Sequence, residues 1–174
     1  MPASSDAGPL IWLARCGNLH LLKKLYSGIV IPEAVYEEAV TRGIEEGYED
    51  ARIIKKAVEE GWIRVLKPGG RFMDEVKARE SRLGVELGEG EREAMALGLA
   101  EGTRIFLTDD EDAHRTGKSL GLEPKGVLYV LLMSVRDELL DKKQARVALG
   151  RMLEGGFWLS PRIIHSFHEA LDKL

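Results

Sequence analysis

The chain has 174 residues, of which 44% are hydrophobic and 31% charged, and its formal net charge is −4. These values indicate one globular domain with a substantial core, and they exclude a disordered chain or one with a strong overall basic field. The single cysteine, Cys16, excludes an internal disulfide and a cysteine-rich zinc site, which favours a reducing, cytoplasmic environment. No apolar run reaches the roughly 18 residues of a membrane span, and the N-terminus lacks a signal-peptide pattern, so no membrane partner is expected.

Strand and helix patterns alternate along the first part of the chain. Short strands are predicted near residues 3, 28, 62 and 104, with a further short strand at Glu123-Pro124-Lys125. Amphipathic or apolar helical stretches separate them. Gly126 to Val135 is an apolar helix or a strand followed by a helix, and the pattern after it is helical. The sequence therefore predicts a three-layer α/β/α fold with a mainly parallel sheet of four to five strands. We expect one domain over residues 1–174, with a core of about 1–125 and a helical C-terminal extension of about 126–174.

Two acidic positions directly follow predicted strands. Asp6 lies between the first strand and the helix opened by Gly8-Pro9, and the run Asp109-Asp110-Glu111-Asp112 follows Leu107 and Thr108. Two carboxylates about 4 Å apart repel by roughly 4 kcal/mol at an effective dielectric of about 20, so such a run is expected to hold a cation or to extend into water. The alternatives are that Asp6 caps a helix and that the four acids begin a solvated helix.

Two further acids lie in helices. On the helix that follows Pro32, Glu38 falls among the inward-facing apolar positions, whereas Glu37 falls outside them. An inward acid needs a partner or a cation, and an ion pair with a nearby Arg or Lys is the alternative for Glu38. In the helix over residues 87–100, periodicity does not decide whether Glu91 or Glu93 points inward, and acids favoured by the helix dipole are the alternative for both.

These acids are expected to converge, because parallel strands end at one edge of the sheet. Three or four carboxylates in one cleft form a hard-oxygen site of the kind that suits Mg²⁺ or Mn²⁺. Such a site orients a phosphodiester and activates water for attack, with one or two metal ions.

With these acids in this order, the sequence resembles the PIN-domain family, ribonuclease-like proteins that include many toxins of toxin–antitoxin pairs. The resemblance lies in the order and spacing of four segments over about the first 125 residues, and one subgroup is also similar in the tail. The segments are Ser5–Ile11, Ile31–Glu38, Gly90–Ala94 and Leu107–Asp110. The strand before Asp6, Pro2-Ala3-Ser4-Ser5, is less apolar than is usual in the family.

The resemblance also implies site residues. The pattern Pro-x-x-Val-x-x-Glu implies Glu38, and the pattern Thr-x-Asp implies Asp110, with Thr108 as a polar neighbour of the metal or of the other acids. The distance to the helix-ending Gly102 favours Glu91 over Glu93. The implied catalytic residues are Asp6, Glu38, Glu91, Thr108 and Asp110, and the implied metal ligands are Asp6, Glu38, Glu91, Asp110 and Asp112, with Asp109 as an alternative helper.

The activity implied by the resemblance is that of a Mg²⁺- or Mn²⁺-dependent endoribonuclease that cleaves single-stranded RNA. The expected partners are an RNA substrate, a second copy in a homodimer and a small antitoxin protein, and the expected location is cytoplasmic. The alternative is a catalytically inactive PIN-like module that binds nucleic acid or assembles with other proteins. The three tryptophans, Trp12, Trp62 and Trp158, are most simply core or interface residues.

Overall fold

The computed structural model describes all residues from 1 to 174, and its centre is one parallel sheet. The sheet order is β3-β2-β1-β4-β5, and every neighbouring pair is parallel. The predicted α/β fold is confirmed, and the fifth short strand is present. The strands are β1 Ala3–Ser5, β2 Ile29–Ile31, β3 Ile63–Val65, β4 Ile105–Leu107 and β5 Glu123–Lys125.

Helices connect the strands and flank the sheet, and three of them follow the last strand. In chain order they are α1 Ala7–Arg15, α2 His20–Leu25, α3 Glu33–Tyr36, a π-helical turn Glu37–Thr41, α4 Arg42–Glu45, α5 Glu49–Glu59, α6 Gly70–Leu83, α7 Glu89–Ala100, α8 Glu111–Ser119, α9 Val127–Arg136, α10 Lys142–Glu154 and α11 Pro161–Lys173. None of them combines the length and the apolar composition that a membrane crossing demands. The division into a core and an extension within one domain stays a prediction.

The small polar residues of β1 have a packing reason. Ala3, Ser4 and Ser5 are fully buried, and β1 is the central strand. A Cβ at Gly98 of α7 would lie 2.6 Å from Ser4 Oγ, so α7 lies closer to the sheet than larger side chains would allow. The departure of this strand from the family's apolar pattern is therefore matched by a glycine on the helix above it.

The direction in which successive strands are added to the sheet reverses at β1, so β1 and β4 form a switch point. The chain runs outward from β1 through β2 to β3, and then crosses to the other side of β1 to form β4 and β5. Ser5 is in register with Leu107, so Asp6 and Thr108 leave the sheet side by side. In open α/β sheets, ligands bind at such a switch point, outside the carboxyl ends of the strands.

Gly43 lies within the helical path after β2 and does not end it. The helical path continues from α3 through the π-helical turn into α4. A Cβ at Gly43 would lie 2.6 Å from Ala51 Cβ, so this glycine lets α4 pack closely on α5. The π-helical turn contains Glu38, and such turns are frequent at functional sites.

Candidate functional site

A cavity of about 190 Å³ lies at the carboxyl edge of the sheet, beside the switch point. Carboxylates dominate its lining, and no Lys, Arg or His contributes to it. The other lining residues are Ala7, Gly8 and Trp12. The five carboxylates belong to Asp6, Glu38, Glu91, Asp109 and Asp110.

Asp6 is the most enclosed of these acids, with 5% of its surface exposed. Its Oδ2 accepts a hydrogen bond of 2.5 Å from Thr108 Oγ1, whereas its buried Oδ1 has no partner. Although Asp6 precedes α1, its side chain makes no hydrogen bond to that helix, so the alternative of an ordinary helix cap is wrong. Burial, followed by the charges of Asp109, Glu91 and Glu38, raises the pKa of Asp6 well above its usual value.

Thr108 joins the two strand ends through its hydroxyl group. Its Oγ1 donates to Asp6 and accepts a 3.2 Å hydrogen bond from the backbone N–H of Asp110. The residue is 1% exposed, and its own N–H donates to the carbonyl of Lys125. Thr108 therefore fixes the orientation of the Asp6 carboxylate.

Glu38 and Glu37 are adjacent in sequence but lie at different cavities. Glu38 lines the acidic cavity, and it forms no ion pair with an Arg or Lys, which removes the alternative of a salt bridge. A Cβ at Gly90 would lie 3.5 Å from Glu38 Oε2, so the start of α7 lies against this carboxylate. Glu37 lines a neighbouring surface cavity that also contains Lys67.

The structure also separates Glu91 from Glu93. Glu91 lines the acidic cavity, whereas Glu93 lies at the cavity of Glu37 and Lys67. Glu91 Oε2 accepts a 2.9 Å hydrogen bond from the N–H of Gly88, so one of its oxygens is used at the start of α7. Burial, together with the charges of Asp110, Glu38 and Asp112, raises the pKa of Glu91.

Asp109 and Asp110 each anchor the start of a helix. Asp110 Oδ1 accepts from the N–H of Ala113 at 2.8 Å in α8. Asp109 Oδ1 accepts from the N–H of Val127 at 3.0 Å, at the start of α9. Although Asp109 as a residue is exposed, burial of its carboxyl group raises its pKa to about 6.

Asp112 is the predicted ligand that does not line the acidic cavity. It lies in the first turn of α8, where its Oδ1 is 3.5 Å from Arg115 Nη1. Both side chains are about half exposed, as is usual for a surface ion pair. The structure thus brings four of the five predicted metal ligands to one cavity, adds Asp109, and places Asp112 beside it.

The donor set fits a hard divalent cation. No group of three or more His, Cys, Asp or Glu side chains is placed closely enough to hold a metal ion as the side chains stand. Five carboxylates nevertheless line the cavity without a cationic side chain, and Asp6 Oδ1 is buried without a partner. A buried, unpaired carboxylate among like charges is costly, and a cation such as Mg²⁺ or Mn²⁺ would offset that cost.

Two tryptophans lie in this region, and the sequence predicts each of them to be a core or an interface residue. Trp12 borders the acidic cavity and packs against Phe157, with ring centroids 5.2 Å apart. Trp158 is 81% exposed, so it is not a core residue.

The comparisons with known proteins place the chain in a family. A family model described as PIN domain, DUF3368, matches residues 3–173. No significant match was found among curated protein sequences. A similar solved chain belongs to the crystal structure of VapBC2 from Rickettsia felis bound to a DNA fragment from their promoter. It is 15% identical with a TM-score of 0.54, and the match covers 72% of this chain and 98% of that chain, a likeness that shows the fold alone.

Proposed function

Because this chain belongs to the PIN-domain family, we propose that it is a metal-dependent endoribonuclease that cleaves single-stranded RNA as the toxin of a toxin–antitoxin pair. PIN domains are generally nucleases, which supports hydrolysis of a phosphodiester. The observation that carries the proposal is the acidic cavity, where Asp6 Oδ1 is buried without a partner among four other carboxylates. A structural acid would have a donor or a cation at that oxygen.

The proposed ligands for Mg²⁺ or Mn²⁺ are Asp6, Glu38, Glu91 and Asp110, which all line the cavity. Asp112 is the more distant proposed ligand, because it is paired with Arg115 outside the cavity. When bound, the metal ion would supply Lewis-acid polarisation of a phosphoryl oxygen and would lower the pKa of water.

The protein's own contribution is to orient these oxygens and to keep them close together. Thr108 fixes one oxygen of Asp6, the N–H of Ala113 fixes one oxygen of Asp110, and the N–H of Gly88 fixes one oxygen of Glu91. In each of these carboxylates the other oxygen is left for a ligand. Hydrogen bonds that lock the donor side chains in this way reduce the reorganisation needed when substrate binds.

The test is cleavage of a single-stranded RNA pool with Mg²⁺, with Mn²⁺ and with chelator. Asp6→Asn and Asp110→Asn should each lower cleavage by more than about 100-fold, the scale expected when a catalytic charge is removed. The neighbouring acids provide matched controls. Glu38→Gln and Glu91→Gln should lose activity, whereas Glu37→Gln and Glu93→Gln, which face the other cavity, should retain it.

Wild-type activity in both the Asp6→Asn and the Asp110→Asn variant, or unchanged cleavage with chelator, would reject the nuclease proposal. The alternative function is an inactive PIN-like module that binds nucleic acid or assembles with other proteins. It is favoured by one observation, the lack of a finished metal-binding group. That alternative predicts RNA binding without cleavage at any metal concentration.

The proposed partners also include a small antitoxin protein and a second copy of the chain. A toxin–antitoxin complex among structures of similar fold supports the first, although the likeness itself concerns the fold. The apolar helix α9 and the helices after it are the proposed surfaces for either contact. We also propose a cytoplasmic location, which the single free and buried thiol of Cys16 supports.

A further inference from the structure

A groove of about 640 Å³ opens directly beside the acidic cavity. Asp109 and Asp110 line both of them, so the two sites share a wall. The opposite wall comes from α9 and from the segment between α10 and α11, which contribute Tyr129, Trp158 and Leu159. The groove has the size of a site for a small organic ligand and is not used in the proposed chemistry.

Trp158 is the most unusual residue of this groove, because 81% of its surface is exposed. Its neighbour Phe157 packs on Trp12, which fixes the segment against a wall of the acidic cavity. Trp158 itself has no aromatic or cationic partner. A large aromatic side chain held in water beside a cleft indicates a binding surface.

Three acids line the groove, Asp109, Asp110 and Glu111, and no Lys or Arg does. Lys125, at the end of β5, lies outside the lining, but its Nζ is 4.7 Å from the centre of the Tyr129 ring, which does line the groove. His114 of α8 lines the groove as well. Aromatic rings that lie beside a cation are the combination that binds single-stranded nucleic acid, since every base has a π face and every nucleotide has a phosphate.

We propose that this groove is a subsite for an unpaired base of the RNA strand, stacked on Trp158, while the adjoining phosphate lies at the acidic cavity. The inference rests on the proposed ribonuclease function and adds the place where the substrate strand continues past the acids. A base is favoured over a peptide because the shared wall of Asp109 and Asp110 makes the groove continuous with the proposed phosphate site. Stacking of this kind tolerates different bases, so it fixes the strand without imposing a sequence.

The experiment measures binding rather than cleavage. A fluorescein-labelled single-stranded oligouridine is titrated with the Asp6→Asn protein in Mg²⁺, which keeps the strand intact if the nuclease proposal is right. Adding Trp158→Ala should weaken binding by roughly fivefold to a hundredfold, the effect of losing one stacked base. Trp158→Phe should retain most of the affinity, and Val147→Ala, another exposed apolar residue outside this groove, should retain all of it.

A competition arm asks whether the base is what the groove recognises. Adenosine monophosphate should displace the labelled RNA at lower concentration than ribose 5-phosphate, which has the same phosphate and sugar but no base. Equal competition by the two compounds, or unchanged affinity in Trp158→Ala, would overturn the inference and leave the groove to a protein partner or to solvent. Because Trp158 is exposed, its replacement should not change the melting temperature, which checks that the variant is folded.

The two proposals can fail separately. If the wild-type protein cleaves RNA and Trp158→Ala has no effect on binding, the subsite is rejected and the nuclease remains. If no preparation cleaves RNA but binding depends on Trp158 and on the base, the subsite is supported and the nuclease proposal is rejected.

Discussion

Asp6 and Glu80 are both buried carboxylates, with 5% and 8% of their surface exposed, but their surroundings are opposite. Glu80 accepts two 2.8 Å hydrogen bonds from the guanidinium group of Arg92 and one of 2.7 Å from the N–H of Leu87. These donors lower its pKa, with the Arg92 hydrogen bonds contributing most. Asp6 has one donor, Thr108, and one unpaired oxygen, and its pKa is raised.

Glu80 is therefore an acid that stabilises the fold, whereas one oxygen of Asp6 stays free to bind a ligand. The Glu80 carboxylate is fully used in joining α6 to α7, since Arg92 also donates to the carbonyl of Leu87. The Asp6 carboxylate lies among like charges, an arrangement that lowers stability unless a ligand is bound.

Breaking the paired acid should give the largest change in stability. Arg92→Ala leaves Glu80 buried without its cation, and we expect a loss of about 3 kcal/mol in the free energy of unfolding. Urea denaturation near neutral pH measures it. Arg115→Ala removes a surface partner of Asp112 and should change stability by no more than about 0.5 kcal/mol. An equal loss of stability in Arg92→Ala and Arg115→Ala would show that the buried Glu80–Arg92 pair matters no more than the surface Asp112–Arg115 pair.

Binding of a divalent cation beside Asp6 should stabilise the folded protein. If Asp6 is a ligand, Mn²⁺ or Mg²⁺ at a hundredfold of its dissociation constant should stabilise the wild-type protein by about 2.7 kcal/mol relative to chelator. Thermal unfolding with and without the cation measures the shift. Arg92→Ala should keep this stabilisation, whereas Asp6→Asn should lose most of it. A similar shift in both variants would mean that the cation binds elsewhere.

The two acids should also give pH dependences of opposite sign. The folded-state pKa of Asp6 is raised, so ionisation lowers the stability of the metal-free protein as the pH rises above the unfolded value near 4. Asp6→Asn removes this loss, and near neutral pH we expect a gain of about 1–2 kcal/mol that disappears in acid. The folded-state pKa of Glu80 is lowered, so its contribution is present above about 4.5 and is lost in more acid solution.

Unfolding measured across that pH range in chelator tests both signs. Glu80→Gln should be less stable than the wild type near neutral pH and should approach it in acid. If Asp6→Asn is instead destabilised at every pH, the unpaired oxygen is not a source of strain, and the contrast with Glu80 is lost.

The smallest expected change in stability concerns Asp109, which has a hydrogen-bond donor like Glu80 and a raised pKa like Asp6. Its Oδ1 caps α9 through Val127, so Asp109→Ala should cost about 1 kcal/mol, as for the loss of a helix cap. Asp109→Asn keeps the acceptor oxygen and should be close to the wild type, since solvent at this exposed residue weakens the electrostatic gain. Equal destabilisation in both variants would show that the charge, not the hydrogen bond, matters.

Much of the fold followed from local patterns. The five strands and the helices between them agree with the predicted alternation, and the parallel sheet brings Asp6 and Thr108 side by side as expected. The packing role of Gly43 does not follow from a local pattern, because the Ala51 side chain that it lies against is 8 residues away in the sequence. Which carboxylates act as ligands stays a prediction, although four of those proposed line one cavity.

The sequence by itself determined the order of the elements and the acids at the ends of β1 and β4, whereas Glu38, predicted to face inward, is exposed in a π-helical turn and lines the cavity. The order and the acidic strand ends follow from local periodicity and from the common direction of parallel strands. The tertiary structure decided between Glu91 and Glu93, joined Asp109 to Val127, left Asp6 Oδ1 without a partner and exposed Trp158 beside the acids. Each of these depends on contacts between segments distant in sequence, which no local pattern encodes.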